Sequence, residues 1–207
     1  PTGTPFDPTY NAGGSSGGSA AALAEGLCPL ATGSDVGGSL RVPASCCHVA
    51  SVKPTFGLLP RANRPNAFGS HTPFAVVGPM ARTVDDLGLF LSVLAGRDDD
   101  DPFSVPVEDS YAGVEDADPG ELTLGYSPDL DLFAVEPVAE RTVREAVGSL
   151  ESAGATVEDV TVEGPDYDEL TRAYGVSATV SFAAAARLLE REFDLDLVGE
   201  DAEDLSE

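Results

Sequence analysis

Hydroxyls set among glycines are the first feature of this sequence that could do chemistry. Gly13-Gly14-Ser15-Ser16-Gly17-Gly18-Ser19 is followed by Gly33-Ser34-Asp35-Val36-Gly37-Gly38-Ser39. A nucleophilic serine needs such a setting, because a substrate carbonyl must reach both the serine oxygen and nearby backbone N–H groups. Val36, Gly37, Gly38 and Ser39 offer four successive N–H donors in a turn with few Cβ atoms, a candidate nest for an oxyanion. Asp35 lies beside them and Arg41 two residues past the last serine, a pair able to brace the loop.

Other chemistries of glycine-rich loops fit less well. A phosphate loop carries Gly-Lys-Ser/Thr after its glycines, whereas Ser19-Ala20-Ala21 follows here with no lysine. Gly-x-Ser-x-Gly occurs in two overlapping frames, centred on Ser15 and Ser16, but a nucleophile elbow needs a strand before it and Asp and His after it. Phe6–Asn11, with Pro8 inside it, is a poor strand, and the two histidines, His48 and His71, both come early. A simple linker would not run on into Leu27–Leu30, Val42, Val49 and Val52 with so little charge.

The segment closely resembles the amidase signature family. That family's mark is a Gly-Gly-Ser-Ser-Gly-Gly-Ser run followed by Gly-Ser-Asp-x-Gly-Gly-Ser-x-Arg-x-Pro-Ala, reproduced at residues 13–19 and 33–44. The likeness continues through Val52-Lys53-Pro54-Thr55 with Gly57, and through Gly78-Pro79-Met80-Ala81-Arg82-Thr83-Val84-Asp85-Asp86, so it covers at least residues 11–97. The resemblance implies an α/β amidase signature fold, a mixed sheet surrounded by helices. It also implies a serine–cis-serine–lysine triad in which Ser39 is the nucleophile and Ser15, after a cis peptide bond, the bridging serine. The backbone N–H groups of Val36, Gly37, Gly38 and Ser39 would hold the oxyanion, and Ser34 would lend a supporting hydrogen bond. A neutral lysine would draw a proton from Ser15, and Ser15 one from Ser39. The product would be an acid plus ammonia or an amine, with no metal and no cofactor.

The family's lysine lies well upstream of the first motif, and this chain begins only twelve residues before Gly13, at Pro1 rather than Met. The one lysine present, Lys53, is read as structural, bonding backbone carbonyls in the core. The expectation is therefore the central piece of an amidase, incomplete at both ends and of little activity alone. One branch of the family, the tRNA-linked A chain of glutamyl-tRNA amidotransferase, often shows Ser-Leu-Asp-Gln-x-Gly-Pro ahead of the Met-x-Arg motif. This chain has Pro73-Phe74-Ala75-Val76-Val77-Gly78-Pro79, which favours a stand-alone amidase acting on a small-molecule amide. A catalytically dead amidase-like binding module is a further alternative. His71 is a candidate for the rim of the substrate cavity, while His48, Tyr10, Phe90 and Tyr126 read as structural residues.

Several elements must position these groups. Small residues fill 11–40, where Ala20–Ala24 reads as a short helix and Pro29–Thr32 as a buried strand. Val49–Lys53 reads as a strand stopped by Pro54, and Arg61–Pro79 as loop, punctuated by Pro65, Gly69, Pro73 and Pro79. Thr83 and Asp86 form a capping box ahead of a helix with Val84, Leu87, Leu91 and Leu94 on one face, stopped at Gly96. Arg97–Glu121 reads as an acidic surface crossing. Leu122–Tyr126, a helix from Pro137 with Val143, Ala146, Val147 and Leu150 on one face, and Ala155–Val162 then predict a right-handed βαβ unit. Tyr167–Phe193 reads as mostly helical. Two parts follow: a signature core at 1–97 and an acidic βαβ-containing remainder at 98–207.

Charge divides the chain the same way. It carries 36 acidic and 11 basic residues, a net charge of −25. Residues 1–90 are neutral, with five acids and five bases, so the whole excess lies beyond them. Such a balance argues against binding nucleic acid or anionic membrane, which need clustered Lys and Arg. Three cysteines (Cys28, Cys46, Cys47), two of them adjacent, point to a reducing compartment, the cytoplasm, and to buried small hydrophobes rather than disulfides. A homo-oligomer is left open. Scarce lysine with dense Asp and Glu is read as adaptation to concentrated salt, in a halophilic organism, where the Debye length is about 3 Å at 1 M and self-repulsion fades. Stability is expected to rise steeply with KCl. Circular dichroism melts in dilute buffer and in molar KCl check this, and equal melting in both removes the salt-adapted reading.

Overall fold

The computed structural model describes residues 2–61, 75–107, 111–113 and 117–194. His71, Pro65, Gly69 and Pro73, singled out above, lie outside the described residues. The elements run α1 (Gly17–Ala24), β1 (Leu30–Asp35), α2 (Arg41–Cys47), β2 (Ala50–Ser51), β3 (Val76–Ala81), α3 (Val84–Leu94), β4 (Thr123–Tyr126), α4 (Pro137–Ser152), β5 (Thr156–Asp159) and α5 (Tyr167–Phe193). Contacts divide them into two compact units, one spanning Pro1–Glu115 with Leu188–Glu207 and the other Asp116–Arg187.

The first unit holds an antiparallel sheet of order β1-β3-β2. Its centre, β3, falls partly inside the stretch read as loop. Pro79 sits in this central strand, a place proline normally avoids because it has no N–H to donate. Its tolerance here has a local cause. The Pro79 carbonyl accepts from the Val52 N–H at 3.2 Å, so its backbone faces the β2 side. The missing donor therefore falls where β2 has already ended, at Ser51. Of the expected strand at Val49–Lys53, only Ala50–Ser51 pairs with β3. β1 runs further than expected, carrying Gly33, Ser34 and Asp35 into the sheet opposite Gly78, Val77 and Val76.

The core beneath this sheet mixes alanines with a few large side chains. Ala12, Ala20, Ala21, Leu23, Leu40, Ala44, Cys47 and Met80 form one buried cluster, flanked by Ala24, Cys28, Ala31 and Val49. Gly33 and Gly78 face each other in register, and a Cβ on either would collide with a methyl group of the fully buried Leu40. Leu40 thus fills the hollow the two glycines leave. The unforeseen helix α2 follows it directly; Pro43 in its first turn has no N–H that the helix needs.

α3 starts as expected, with the Thr83 hydroxyl accepting from the Asp86 N–H at 3.2 Å. Leu87 and Leu91 are buried on it, whereas Val84, its first residue, is 58% exposed. The crossing after Arg97 is not purely surface. Asp101 is buried, accepting from the Arg61 N–H at 2.7 Å and the Phe103 N–H at 2.9 Å.

In the second unit, β4 and β5 pair in parallel from Thr123–Thr156 to Tyr126–Asp159, with α4 between them in sequence. This is the expected βαβ unit. Tyr126 is buried, with the Arg144 guanidinium 5.2 Å from its ring centre. No residue of α4 is buried. No helix among the described residues is long and apolar enough to cross a membrane.

Truncating Leu40 to Ala empties the hollow over both glycines. Denaturant unfolding of Leu40→Ala is expected to show a loss of about 2–5 kcal/mol.

Candidate active site

The turn after β1 is organised by one carboxylate. Asp35 ends β1, is fully buried, and accepts four hydrogen bonds. Its Oδ1 takes the Gly38 N–H at 2.7 Å and Arg41 Nη2 at 3.0 Å. Its Oδ2 takes the Leu40 N–H at 3.1 Å and Arg41 Nε at 3.0 Å. A buried carboxylate is costly unless paired and bonded in this way. Burial pushes the carboxyl pKa up, but the Arg41 guanidinium and the two N–H donors outweigh it and hold Asp35 at about 2.

This bonding decides which donors of the turn remain free. The Gly38 N–H, expected among the oxyanion donors, is given to Asp35 instead. The N–H groups of Val36, Gly37 and Ser39 have no acceptor among the described residues. Val36 and Gly37 are exposed and Ser39 is half-buried, so this stretch opens to solvent. Gly38 has φ +117°, a conformation that only glycine adopts at little cost. The turn then enters α2 as the Val42 N–H donates to the Gly38 carbonyl at 2.7 Å.

The first motif lies against the second. The Ser16 N–H donates to the Ser39 carbonyl at 3.1 Å, which sets the Ser15–Ser16 backbone beside Ser39. The Gly14–Ser15 peptide bond is cis. Ser15 is exposed, and its hydroxyl makes no hydrogen bond among the described residues. Close backbone approach requires the flanking glycine: a Cβ on Gly13, at φ +77°, would meet Pro43 Cα at 2.9 Å.

Ser34 contributes through its backbone rather than its hydroxyl. Its N–H donates to Ser16 Oγ at 3.3 Å, and its carbonyl accepts from Ser16 Oγ at 3.4 Å. Ser19 Oγ donates to the Thr32 carbonyl at 2.9 Å. Neither Ser16 nor Ser19 stood out as a site residue in the sequence. The only signal was their repetition within a single seven-residue motif.

The remaining candidates fall away from this cluster. Lys53 is exposed and bonds the Pro54 carbonyl at 3.0 Å, at the surface rather than in the core. His48 is likewise not a satisfied residue beside the core. It ends α2 in the left-handed region at φ 53°, exposed, with its ring 4.9 Å from that of Phe6. Tyr10 is 69% exposed rather than packed. The three cysteines are free; Cys47 is buried, and burial, with Cys46 next to it, pushes its thiol pKa up. No cluster of His, Cys, Asp and Glu among the described residues could hold a metal ion.

The chain belongs to the amidase family: the sequence model described as Amidase matches residues 1–205. Over 173 residues it is 40% identical to the glutamyl-tRNA(Gln) amidotransferase A chain of Salinibacter ruber, covering 83% of this chain and 33% of that protein. It is also 40% identical over 162 residues to an acylamidase of Rhodococcus erythropolis, covering 78% and 33%. The crystal structure of a bacterial aryl acylamidase of the amidase signature family matches 99% of this chain and 41% of its own length, with TM-score 0.87 and 32% identity. The chain thus spans about a third of the length of these curated relatives.

The Asp35 bonds give the folded state a carboxyl pKa below its unfolded value. Their stabilisation is fully present above pH ~4 and is lost as pH falls towards 2. It amounts to about 2 kcal/mol at most, because the exposed Arg41 is partly screened by water. Asp35→Asn is expected to be less stable than the parent near neutral pH, with the gap closing between pH 4 and pH 2. Urea titrations across that range check it.

Proposed function

We propose that this chain is the serine-bearing part of an amidase that hydrolyses linear carboxylic amides through an acyl-enzyme on Ser39. The observation that carries the reading is the turn itself. Ser39 is half-buried beside the Ser15–Ser16 backbone, and the Val36, Gly37 and Ser39 N–H groups are left without acceptors. Such donors suit the charge that develops on a carbonyl oxygen under attack.

In this reading Ser39 Oγ attacks the amide carbon and its proton passes to Ser15. Ser15 in turn gives its proton to a neutral lysine supplied by sequence outside these 207 residues. Lysine acts as a base near neutral pH when desolvation lowers its pKa. The tetrahedral adduct expels ammonia or an amine, which leaves with that proton. Water then cleaves the ester, releasing the acid and restoring Ser39. The buried Asp35, paired with the exposed Arg41, holds the turn in shape throughout. The three free cysteines support a reducing, cytoplasmic setting.

A second reading is favoured by the name that the 40%-identical Salinibacter relative carries. There the same serine chemistry would serve amide transfer to glutamyl-tRNA within a complex. Hydrolysis of simple aryl amides by the protein acting alone favours the first reading. Activity that requires both tRNA and a partner protein favours the second.

In the full-length protein a fluorophosphonate is expected to label Ser39. Ser39→Ala should abolish both labelling and amide turnover, and Ser15→Ala should slow turnover by about 100-fold or more. The 207 residues alone are expected to turn over amides at no more than background. A full-length protein that binds amides yet neither labels nor hydrolyses them would instead be a non-catalytic module.

A further inference from the structure

Three serines sit in the first motif, and the proposed chemistry uses one. The other two have an assignable task. Ser16 occupies the N-cap of α1, the position where serine usually bonds the first helical N–H groups. Here its side chain makes no capping bond. Its hydroxyl reaches across to both the N–H and the carbonyl of Ser34. One helical turn on, Ser19 reaches the Thr32 carbonyl. Residues three apart on a helix share a face, and residues two apart on a strand share an edge. The serines therefore form two consecutive stitches, with α1 running opposite to β1.

Among the described residues, no other group bonds the edge they stitch. β1 is an outer strand of the described sheet, and its partner β3 lies on the other side. Thr32 stands opposite Pro79, whose carbonyl turns away towards Val52, so the Thr32 and Ser34 backbone groups point outward from the sheet. Unpaired edge groups need cover or water. The hydroxyls of α1 provide that cover, and Gly33 between them has no room for a Cβ because Ser16 packs on it.

We propose that Ser16 and Ser19 are positioning residues: their hydroxyls lace the start of α1 to the outer edge of β1 and so hold Ser15 beside Ser39. This rests on the amidase reading above and gives the motif a division of labour. Ser15 is left with a free hydroxyl because its neighbours take the structural bonds.

The test uses the full-length protein that carries these residues. Ser16→Ala is expected to lower kcat by about 10–100-fold, as small misplacements of reacting groups do, with KM kept within about threefold. Ser19→Ala, one stitch further away, should lower kcat by about tenfold. Ser16→Thr keeps the hydroxyl and should retain kcat within about threefold, and melting temperatures should stay within about 5 °C of the parent. A folded Ser16→Ala protein with parental kcat overturns the proposal, as does a Ser16→Thr protein as slow as Ser16→Ala. If Ser16→Ala does not fold, Ser19→Ala decides: unchanged kcat overturns the proposal, and a fall with parental KM supports it. A parent that neither hydrolyses amides nor labels at Ser39 is a failure of the proposed function instead. The lacing is then read from amide exchange at the Ser34 N–H, expected to be about tenfold faster in Ser16→Ala. Equal exchange in the two proteins overturns it.

Discussion

A single buried carboxylate sets the geometry on which the rest of the first unit depends. Asp35 closes β1 and gathers the Gly38 and Leu40 N–H groups and the Arg41 fork within a span of seven residues. Those bonds curl the chain back on itself. The curl turns Leu40 into the core, starts α2 one residue later, and leaves Ser39 between the two committed donors. The turn that would do chemistry and the plug that fills the core are therefore consecutive residues of one bonded loop. An ion pair with one partner in water is weak support for overall stability, but a buried carboxylate stripped of its partners is costly, so the pair acts here mainly as a shape constraint.

The motif residues were legible because their types are restrictive. Glycines beside hydroxyls, with an acid and an arginine at fixed spacing, leave few uses, and the Asp35–Arg41 pair forms as their spacing allows. The α3 cap and the β4–α4–β5 unit were legible from capping and periodicity. β3 was not, because Pro79 read as punctuation. Its cost is cancelled by a neighbouring strand that stops short, which no local rule contains. α2 was hidden by its Pro43 and its mere seven residues.

Within the site, local rules misled in a consistent way. Four successive N–H groups in a turn look equivalent in sequence, yet Asp35 selects the Gly38 donor for itself. Ser16 stands at the N-cap of α1, yet its hydroxyl bonds a strand eighteen residues away. In α4, Val143, Ala146, Val147 and Leu150 recur at helical spacing, but periodicity states only which residues would share a face and not what covers it; Val143 is 52% exposed. Long-range partners decide each case.

Eight glycines fall between residues 11 and 40, and this has a consequence for how the site is held. Glycine gives up more conformational freedom on folding than any other residue, roughly 0.5–1 kcal/mol more than alanine at each ordered position. The stretch that carries the serines is therefore also one with a large entropic pull towards disorder. Four of the eight residues in its core cluster are alanines, which offer little apolar area in return. Order there depends on side-chain bonds to the backbone, those of Asp35, Ser16 and Ser19, with Arg41 bonded to the Asp35 carboxylate. Conditions that weaken such bonds would loosen the serines while the Leu87–Leu91 face of α3 still holds.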